Sequence, residues 1–499
     1  MHAPGRFTPR LAARGWRAAG RRRGAAAGWP RIAASETDAL PPSTPAAAAD
    51  HRDRRSSSSS SAAASRPTPI ATLSPERTAA NADLASKLRG AVILAPLTRV
   101  GTLPFRALCA EFGAPVTLSE MAFARPLAKG DRVERTRLRR DPGERLYGFQ
   151  MTTNNVGEGL AAARLAAEAG CDFLDLNAGC PIHEATRRGL GAALLRSTRK
   201  LATLVSGIAT DSPLPLTVKI RTGLSANLIN VDETVAALAA AGAAAVTIHG
   251  RTQEQRYKRA ADWGAIARVA AANPGLAVVG NGDALTHWEC AARLATPGVA
   301  GLMVGRGALV TPWLWREIAE QRAWLPTPEE RVGVLHGFMG RMQAYLGADA
   351  KGWAKAQHFL PAHFDFFHRW RPLPDAVYGP GGSHYDPSTP LLSRRRAVAD
   401  PVLGETLAGL SPLERLLRCP DPGAHAALAA CLWEAATPAE AVRAAEGAAR
   451  EGLAAWEEAA RAADREMQDD EGGDERGGRG DGRDSGRARR RRDDEMAGG

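Results

Sequence analysis

The run Phe173-Leu-Asp-Leu-Asn-Ala-Gly-Cys-Pro181 shows most directly how this chain is built. It begins as a short apolar strand and continues into Asn, Gly and Pro, which are residues that end strands in tight turns. Cys180 therefore follows the end of a strand and is held in a rigid turn. A free cysteine is as often a small buried hydrophobe, so the run by itself leaves that alternative open.

Seven similar apolar runs lie on either side of this one, between about residues 91 and 317. Ala-rich periodic segments closed by Gly or Pro separate them, as expected for alternating strands and helices of a parallel sheet. Eight such units match a (β/α)8 TIM barrel in size and number. An open doubly wound sheet is the alternative, but no glycine fingerprint of a dinucleotide-binding fold follows the first strand. The eight predicted strands are Val92–Ala95, Val116–Leu118, Leu146–Phe149, Phe173–Leu176, Leu216–Ile220, Ala245–Ile248, Ala277–Val279 and Gly301–Val304.

Glycine-rich turns follow the seventh and eighth predicted strands and read Gly280-Asn-Gly-Asp283 and Gly305-Arg-Gly307. In barrels of this kind the loops after these two strands commonly hold a phosphate with backbone N–H groups, which glycine lets approach closely. Arg306 adds a fixed positive charge. The pattern favours a phosphate site over ordinary turns, which also use glycine.

Lys219 interrupts the apolar strand Leu216–Ile220. A lysine that points into a barrel carries a buried ammonium, which is costly unless an anion lies close to it. A phosphorylated cofactor across the barrel mouth would supply that anion, and a structural salt bridge is the alternative. His249 ends the sixth strand; beside Lys219 and Gln150 we interpret it as a cofactor contact, although a lone histidine is often only structural.

Five motifs stand at or near strand ends: Asn177–Pro181, Val218–Gly223, Ile248–Thr252, Gly280–Asp283 and Gly305–Gly307. As an ordered set they resemble the tRNA-dihydrouridine synthase family, and the resemblance spans about residues 92 to 324. The run Gln253–Trp263, with Trp313 and Leu314, is most similar to the eukaryotic branch that modifies a uridine in the variable loop of tRNA.

This resemblance implies a flavin enzyme that reduces the C5–C6 double bond of a uridine in tRNA, with FMN that NADPH or NADH reduces again. It implies that Cys180 is the general acid, which gives a proton to C5 while a hydride from the flavin goes to C6. A thiol with an ordinary pKa holds its proton at neutral pH, as that role requires.

The resemblance also implies which residues bind the cofactor and the RNA. Asn177 would bond the edge of the target uracil, and the base must leave its stack to reach the site. Arg251, Arg256 and Lys258 would contact RNA phosphates, although a solvated charged loop is the alternative for each of them. The expected FMN contacts are Pro96, Leu97, Thr98, Gln150, Lys219, His249, Asn281, Gly282, Asp283, Gly305 and Arg306.

Helical signals follow the barrel. Thr327-Pro-Glu-Glu330 is typical of a helix start, and Ser411-Pro412 repeats the signal. The family places a small helical domain here to dock tRNA. We expect an irregular insertion at about 372–401, either disordered padding or a basic loop in which Arg394–Arg396 touch RNA. The expected domains are an extension over 1–85, an FMN-binding barrel over 88–325, a helical domain over 326–465 and a charged tail over 466–499.

The two ends differ from the centre in composition. Residues 1–35 contain eight Arg and no acidic residue, and Ser56–Ser61 form a serine run. This resembles a mitochondrial or plastid transit peptide; the alternative is a disordered extension of a cytoplasmic or nuclear protein. The charged tail has little apolar content to bury, so we expect it to be disordered. Residues 1–80 carry +8 of the formal +11, from thirteen Arg and five acidic residues, which leaves +3 for the rest. Affinity for tRNA must then come from a clustered patch and the helical domain.

The six cysteines include no Cys-x-x-Cys pair, so we expect neither a disulfide framework nor a metal site. We also expect no membrane span, and a monomer. Two other functions stay open. An FMN barrel that acts on a free pyrimidine, similar to dihydroorotate dehydrogenases, would share the flavin site but would not need the helical domain. An RNA-binding protein without catalysis would need neither Cys180 nor Lys219.

Overall fold

In this computed structural model, which describes residues 72–393 and 397–474, eight parallel strands close into a barrel. The ring runs β1-β2-β4-β5-β6-β7-β8-β9 and closes where Ile93 of the first strand pairs with Met303 of the last. The short β3 pairs with the end of β4. The predicted TIM barrel is confirmed, since an open sheet would leave its edge strands unpaired. The strands are β1 Val92–Leu94, β2 Val116–Leu118, β3 Ala122–Phe123, β4 Leu146–Thr152, β5 Phe173–Ala178, β6 Leu216–Arg221, β7 Ala245–His249, β8 Ala277–Asn281 and β9 Val299–Val304.

Five strands extend further than their apolar runs, because their backbones keep pairing after the apolar residues end. The strands β4 to β8 continue into Thr152, Ala178, Arg221, His249 and Asn281. Several polar residues expected in loops therefore lie on strands. Strand residues are held more rigidly than loop residues, which matters for the site below.

Helices surround the barrel, and side-chain caps fix the start of several of them. Asn155, Asp262 and Thr286 each accept a hydrogen bond from a backbone N–H in the first turn of the helix that follows. In the barrel region the helices are α1 Pro75–Leu88, α2 Leu103–Glu111, α3 Ala124–Ala128, α4 Arg132–Thr136, α5 Val156–Glu168, α6 His183–Thr186, α7 Thr198–Asp211, α8 Val231–Ala240, α9 Trp263–Ala272, α10 His287–Leu294, α11 Arg306–Val310 and α12 Leu314–Glu320, with a 3-10 helix at Gly191–Arg196.

Residues 75–85, expected to belong to a disordered extension, form most of α1. Ser74 caps this helix, and Leu84 and Leu88 are buried in the core. The Arg77 guanidinium donates to the Ser212 carbonyl at 2.6 Å. The two leucines, spaced four residues apart, form an apolar face that the Ala-rich composition hides.

The second helical region packs against the barrel. α13 begins at Pro328, as the sequence predicted, and Thr327 and Glu330 form a reciprocal capping box there. α14 continues through Pro361, a residue type that usually kinks or breaks a helix, because the buried residues Leu360 and Phe364 offset the lost backbone hydrogen bond. The helices here are α13 Pro328–Leu346, α14 Ala350–Phe367, α15 Asp375–Tyr378, α16 Pro412–Arg418, α17 Pro422–Glu434 and α18 Pro438–Asp474, with 3-10 helices at Leu391–Ser393, Pro401–Leu403 and Leu407–Gly409.

The described part of the expected insertion at 372–401 has only short helices but packs against the rest of the molecule, as the buried Tyr378 and Leu391 show. The arginines Arg394–Arg396 lie outside the described residues, as do the predicted transit peptide and residues 475–499. α18 continues to Asp474, beyond the expected start of the tail at 466. Across the described residues, each helix is too short or too polar to cross a membrane.

His363 yields a prediction about stability. The residue is fully buried among the rings of Phe105, Phe338 and Phe367, and neither ring nitrogen has a hydrogen-bond partner among the described residues. Burial lowers the pKa of His363 to about 3, so the folded protein keeps the ring neutral. In the unfolded chain the His363 imidazole takes up a proton below the ordinary pKa of histidine, so acid favours unfolding.

This histidine should therefore make stability fall by up to about 1.4 kcal/mol per pH unit between about pH 6 and pH 4. Denaturant unfolding across that range should show a shallower slope for His363→Leu than for the wild type. The exposed His384→Leu is the matched control and should keep the wild-type slope. Equal slopes in all three proteins would contradict the prediction.

Candidate active site

Polar side chains inside the barrel fall into rows because the parallel strands pair in a fixed register. Residues paired across neighbouring strands project to the same side of the sheet, so a polar residue on one strand meets a polar residue on the next. All the residues of these rows are buried. The pairs are Gln150 with Asp175 and Asp175 with Thr217, then Asn177 with Lys219 and Lys219 with Thr247, and then Arg221 with His249 and His249 with Asn281.

A chain of hydrogen bonds runs along the first row and continues to Asn177 in the second row. Asp175 accepts from Thr217 Oγ1 at 2.6 Å and from Gln150 Nε2 at 2.7 Å. Because its Nε2 donates to Asp175, Gln150 presents Oε1 to Asn177, whose Nδ2 donates to it at 2.9 Å. Asp175 thus sets the orientation of both amides. Sequence reasoning did not single out Asp175, although a carboxylate inside an apolar strand was its signal.

The turn that carries Cys180 is held from two sides. Asn177 Oδ1 accepts the backbone N–H groups of Gly179 at 3.1 Å and Cys180 at 2.8 Å. From the other side, Arg221 donates Nε to the Gly179 carbonyl at 2.8 Å and Nη1 to the Thr252 carbonyl at 3.0 Å. These bonds fix the position of the thiol. Arg221 belongs to a quoted motif, but its positioning role could not be inferred before the Gly179 carbonyl was located.

Cys180 is enclosed rather than open to substrate. Its side chain is only 1% exposed and packs with Met121, Ala185 and Leu190 in a small apolar cluster. Gly191 has φ +58°, and a Cβ there would lie 2.6 Å from the Cys180 carbonyl oxygen, so glycine allows the covering segment to approach. Burial raises the pKa of the Cys180 thiol, which therefore holds its proton at neutral pH.

The barrel mouth is rich in buried cations. Burial, aided by the charge of Arg221, lowers the pKa of Lys219 to about 8. Burial also holds the pKa of His249 well below its ordinary value, and the cations Arg221, Lys219, Arg251 and Arg306 act in the same direction. His249 is therefore neutral at physiological pH. An anionic ligand would relieve this repulsion, so the electrostatics favour a negatively charged cofactor.

The loops after β8 and β9 form a pocket with about 400 Å³ of empty space, including its part open to solvent. Gly307 lies so close to the neighbouring loop that a Cβ there would be 2.1 Å from the Ala284 carbonyl oxygen. This close packing, together with the cations, fits a phosphorylated group. Pro96 is buried and Thr98 half-buried beside the pocket. Of the expected cofactor residues, the pocket brings together Leu97, His249, Asn281, Gly282, Asp283, Gly305 and Arg306.

Asp283 uses its side chain to hold the loop. Its carboxylate accepts from Arg251 Nη2 at 2.7 and 2.8 Å and from the Ala261 backbone N–H at 2.6 Å. A carboxylate repels phosphate, so only the backbone of Asp283 suits the phosphate contact that we expected.

Arg251 does not fit the expected role of an RNA contact. Its side chain is 1% exposed, and besides Asp283 its Nε donates to the Arg259 carbonyl at 2.5 Å. The position of Arg251 after a strand suggested a surface loop, but the ion pair with Asp283 holds its side chain inside the protein. Arg256 is half-buried and Lys258 exposed on the loop that follows.

Tyr257 is a pocket residue that sequence reasoning missed. Its ring lies 3.9 Å from the Arg306 guanidinium carbon, within cation–π distance, and 5.9 Å from the His249 ring. Its signal was a single aromatic residue within the polar run 253–258.

In the described part of the chain, no group of three or more His, Cys, Asp or Glu side chains is arranged to hold a metal ion.

The chain folds as a closed (β/α)8 barrel whose paired glycine loops and cationic mouth suit a phosphorylated ligand. Residues 93–369 match the family model described as dihydrouridine synthase (Dus), which is more than half of the chain. This protein belongs to the dihydrouridine synthase family, as the motifs predicted.

Three of its relatives carry the name tRNA-dihydrouridine(47) synthase [NAD(P)(+)], two of them with the addition '-like'. The human protein is 38% identical over 287 residues, covering 57% of this chain and 44% of its own length. The protein of the fungus Coprinopsis cinerea is 35% identical over 299 residues, covering 57% and 44%. The Arabidopsis thaliana protein is 36% identical over 293 residues, covering 57% and 42%. This chain thus spans less than half the length of these relatives.

The buried ion pair of Arg251 and Asp283 gives a second prediction. Asp283→Asn should lower the free energy of unfolding by about 3 kcal/mol, because it leaves the Arg251 charge buried without its counterion. Asp232→Asn is a matched control, since Asp232 also binds an arginine, Arg268, through two hydrogen bonds, but at the surface. That change should cost less than about 1 kcal/mol. Chemical denaturation measures both, and similar losses would contradict the prediction.

Proposed function

We propose that this protein reduces the C5–C6 double bond of a uridine in tRNA to give dihydrouridine, with FMN as its cofactor and NADPH or NADH as the reductant. The observation that carries the proposal is the position of the buried Cys180 thiol, which Asn177 and Arg221 fix from strands next to the cationic mouth. The names of the relatives support tRNA as the substrate, dihydrouridine as the product and NAD(P) as the source of electrons. By the same likeness the target is position 47, in the variable loop.

FMN, when bound, would supply the hydride that goes to C6. The cationic and glycine-rich pocket around Arg306 suits its phosphate, and backbone N–H groups there can donate to phosphate oxygens. Gln150 on β4, Lys219 on β6 and His249 on β7 suit the polar edge of the ring. Because His249 is neutral, it can donate or accept a hydrogen bond without adding charge.

Cys180 supplies the proton that completes the reduction. With the hydride at C6, the proton from the thiol goes to C5, and the resulting thiolate takes a proton from water in the next cycle. The raised pKa of Cys180 serves this role, since the thiol must be protonated when the base arrives. The cover of Met121 and Leu190 has to move before a pyrimidine reaches the sulfur.

Asn177 can hold the target base with one remaining donor. Its Oδ1 already accepts two backbone N–H groups, and one hydrogen of Nδ2 goes to Gln150. The second Nδ2 hydrogen suits a uracil carbonyl oxygen. The amide orientation that Asp175 fixes through Gln150 is therefore a condition for binding the base.

The RNA itself binds outside the barrel mouth. Lys258 is exposed and Arg256 half-exposed on the loop after β7, where they suit phosphates beside the extruded base. We assign docking of the rest of the tRNA to the helical domain at about 326–465, and we expect a monomer. A free pyrimidine would need neither this loop nor this domain.

The test follows the two half-reactions separately by rapid mixing, with purified full-length chain, NADPH and tRNA that lacks dihydrouridine. The wild type should bleach its flavin with NADPH and regain colour with tRNA, and mapping should find dihydrouridine in the variable loop. A chain that binds no flavin, or that acts on free uracil but not on tRNA, would refute the proposal.

Cys180→Ala should slow the tRNA half-reaction by at least about 100-fold, because it removes the general acid. Reduction of the flavin by NADPH should change little, since this step does not use the thiol. Cys171→Ala is the control, because Cys171 is also buried but precedes β5, at the end of the barrel opposite the mouth. If both variants lost both half-reactions equally, Cys180 would not be the acid.

The affinity for FMN should fall above pH 8 in the wild type. Lys219 loses its proton there when the site is empty, whereas a bound anion favours the charged ammonium, so binding requires proton uptake. The dissociation constant should therefore rise by up to about tenfold per pH unit between about pH 8 and pH 9.5. Lys219→Met should remove this dependence, and the exposed Lys87→Met should keep it. A pH-independent affinity in the wild type would contradict the assignment.

A further inference from the structure

One residue of the cofactor pocket lies outside the part of the chain that matches the family. Leu392 lines the pocket together with Ala284, Gly305 and Arg306. The family match ends at residue 369, and Leu392 follows it within the irregular insertion. The insertion thus contributes to a site that is otherwise built by the barrel.

A single half-buried carboxylate fixes Leu392 relative to the phosphate loop. Glu289, in the first turn of α10, accepts the Leu391 backbone N–H at 3.1 Å with Oε1. Its Oε2 accepts the Leu285 backbone N–H at 2.8 Å. Leu285 directly follows Ala284 of the pocket, so Glu289 joins the loop after β8 to the insertion. Both bonds go to backbone atoms, so they define the course of the two segments.

A second tether holds the start of the insertion against the same helix. Asp375 Oδ1 lies 3.0 Å from His287 Nε2, and its Oδ2 accepts the Ala323 backbone N–H at 3.2 Å. Leu391 is buried against the barrel. The insertion is therefore attached to α10 near both His287 and Glu289, which holds Leu392 in a defined place.

We propose that Leu392 is a specificity-determining wall at the phosphate end of the pocket, which admits a flavin mononucleotide and excludes the flavin dinucleotide. The inference rests on the proposed function. A mononucleotide ends at the phosphate, beside Arg306 and the glycine loops. A dinucleotide has to continue beyond that phosphate, where it would meet an apolar side chain on a tethered segment. Discrimination by a steric obstacle needs no additional favourable contact with the smaller ligand.

The experiment measures the affinities of the full-length chain for FMN and FAD after its flavin has been removed. The wild type should bind FMN at least about tenfold more tightly than FAD. Leu392→Ala should lower that ratio at least about fivefold, mainly by improving FAD binding. Leu407→Ala is the matched control, because Leu407 belongs to the same region of the chain but is 37% exposed and does not line the pocket. It should leave the ratio unchanged.

Glu289→Gln provides a second, independent variant. Its amide NH₂ would oppose one of the two backbone donors, so Leu391 or Leu285 would lose its fixed position. The ratio should fall in the same direction as for Leu392→Ala. Equal affinities in the wild type, or a ratio that neither variant changes, would overturn the role of Leu392 while FMN binding itself upheld the proposed function. A wild-type chain that binds neither flavin would overturn both.

Discussion

The site depends on the strand register between β4 and β7. Gln150, Asp175 and Thr217 meet because their strands pair at those positions. A shift of one residue would turn each side chain to the other face and leave a carboxylate among apolar helices, which is strongly unfavourable. The amide orientations of Gln150 and Asn177 follow from that register, and so does the position of Cys180. Function and fold are specified by the same set of hydrogen bonds.

The buried cations at the barrel mouth repel one another in the empty protein, and a bound anion would reduce that repulsion. Lys219, Arg221, Arg251 and Arg306 converge there, and the carboxylate of Asp283 is shared by the last two. Burial lowers the pKa values of Lys219 and His249, and repulsion by these cations acts in the same direction. Binding an anion removes part of that cost, so the cofactor should stabilise the folded chain as well as complete the site.

The sequence predicted the barrel well because buried parallel strands are continuous apolar runs and their loops carry glycine. It predicted the site as a set of strand-end residues, but it could not predict side-chain directions that depend on contacts between distant segments. Arg251 points inward because Asp283, thirty-two residues later, offers a buried carboxylate. Tyr257 and Leu392 reach the pocket from irregular segments, for which no periodic pattern exists. α14 passes through Pro361 because tertiary packing outweighs local propensity.

The proposed role of Cys180 requires both burial of the thiol and access for a base. Burial keeps the thiol protonated, yet in the proposed reaction the thiol has to meet a base that arrives from outside. Both requirements can be met, because the residues that fix the Cys180 turn differ from the residues that cover its thiol. Asn177 and Arg221 fix the backbone of the turn from rigid strands. The cover is a small apolar cluster around Leu190, separate from the main core, so displacing it costs little apolar contact. In the proposed reaction the sulfur can therefore stay in place while its cover moves aside for the base.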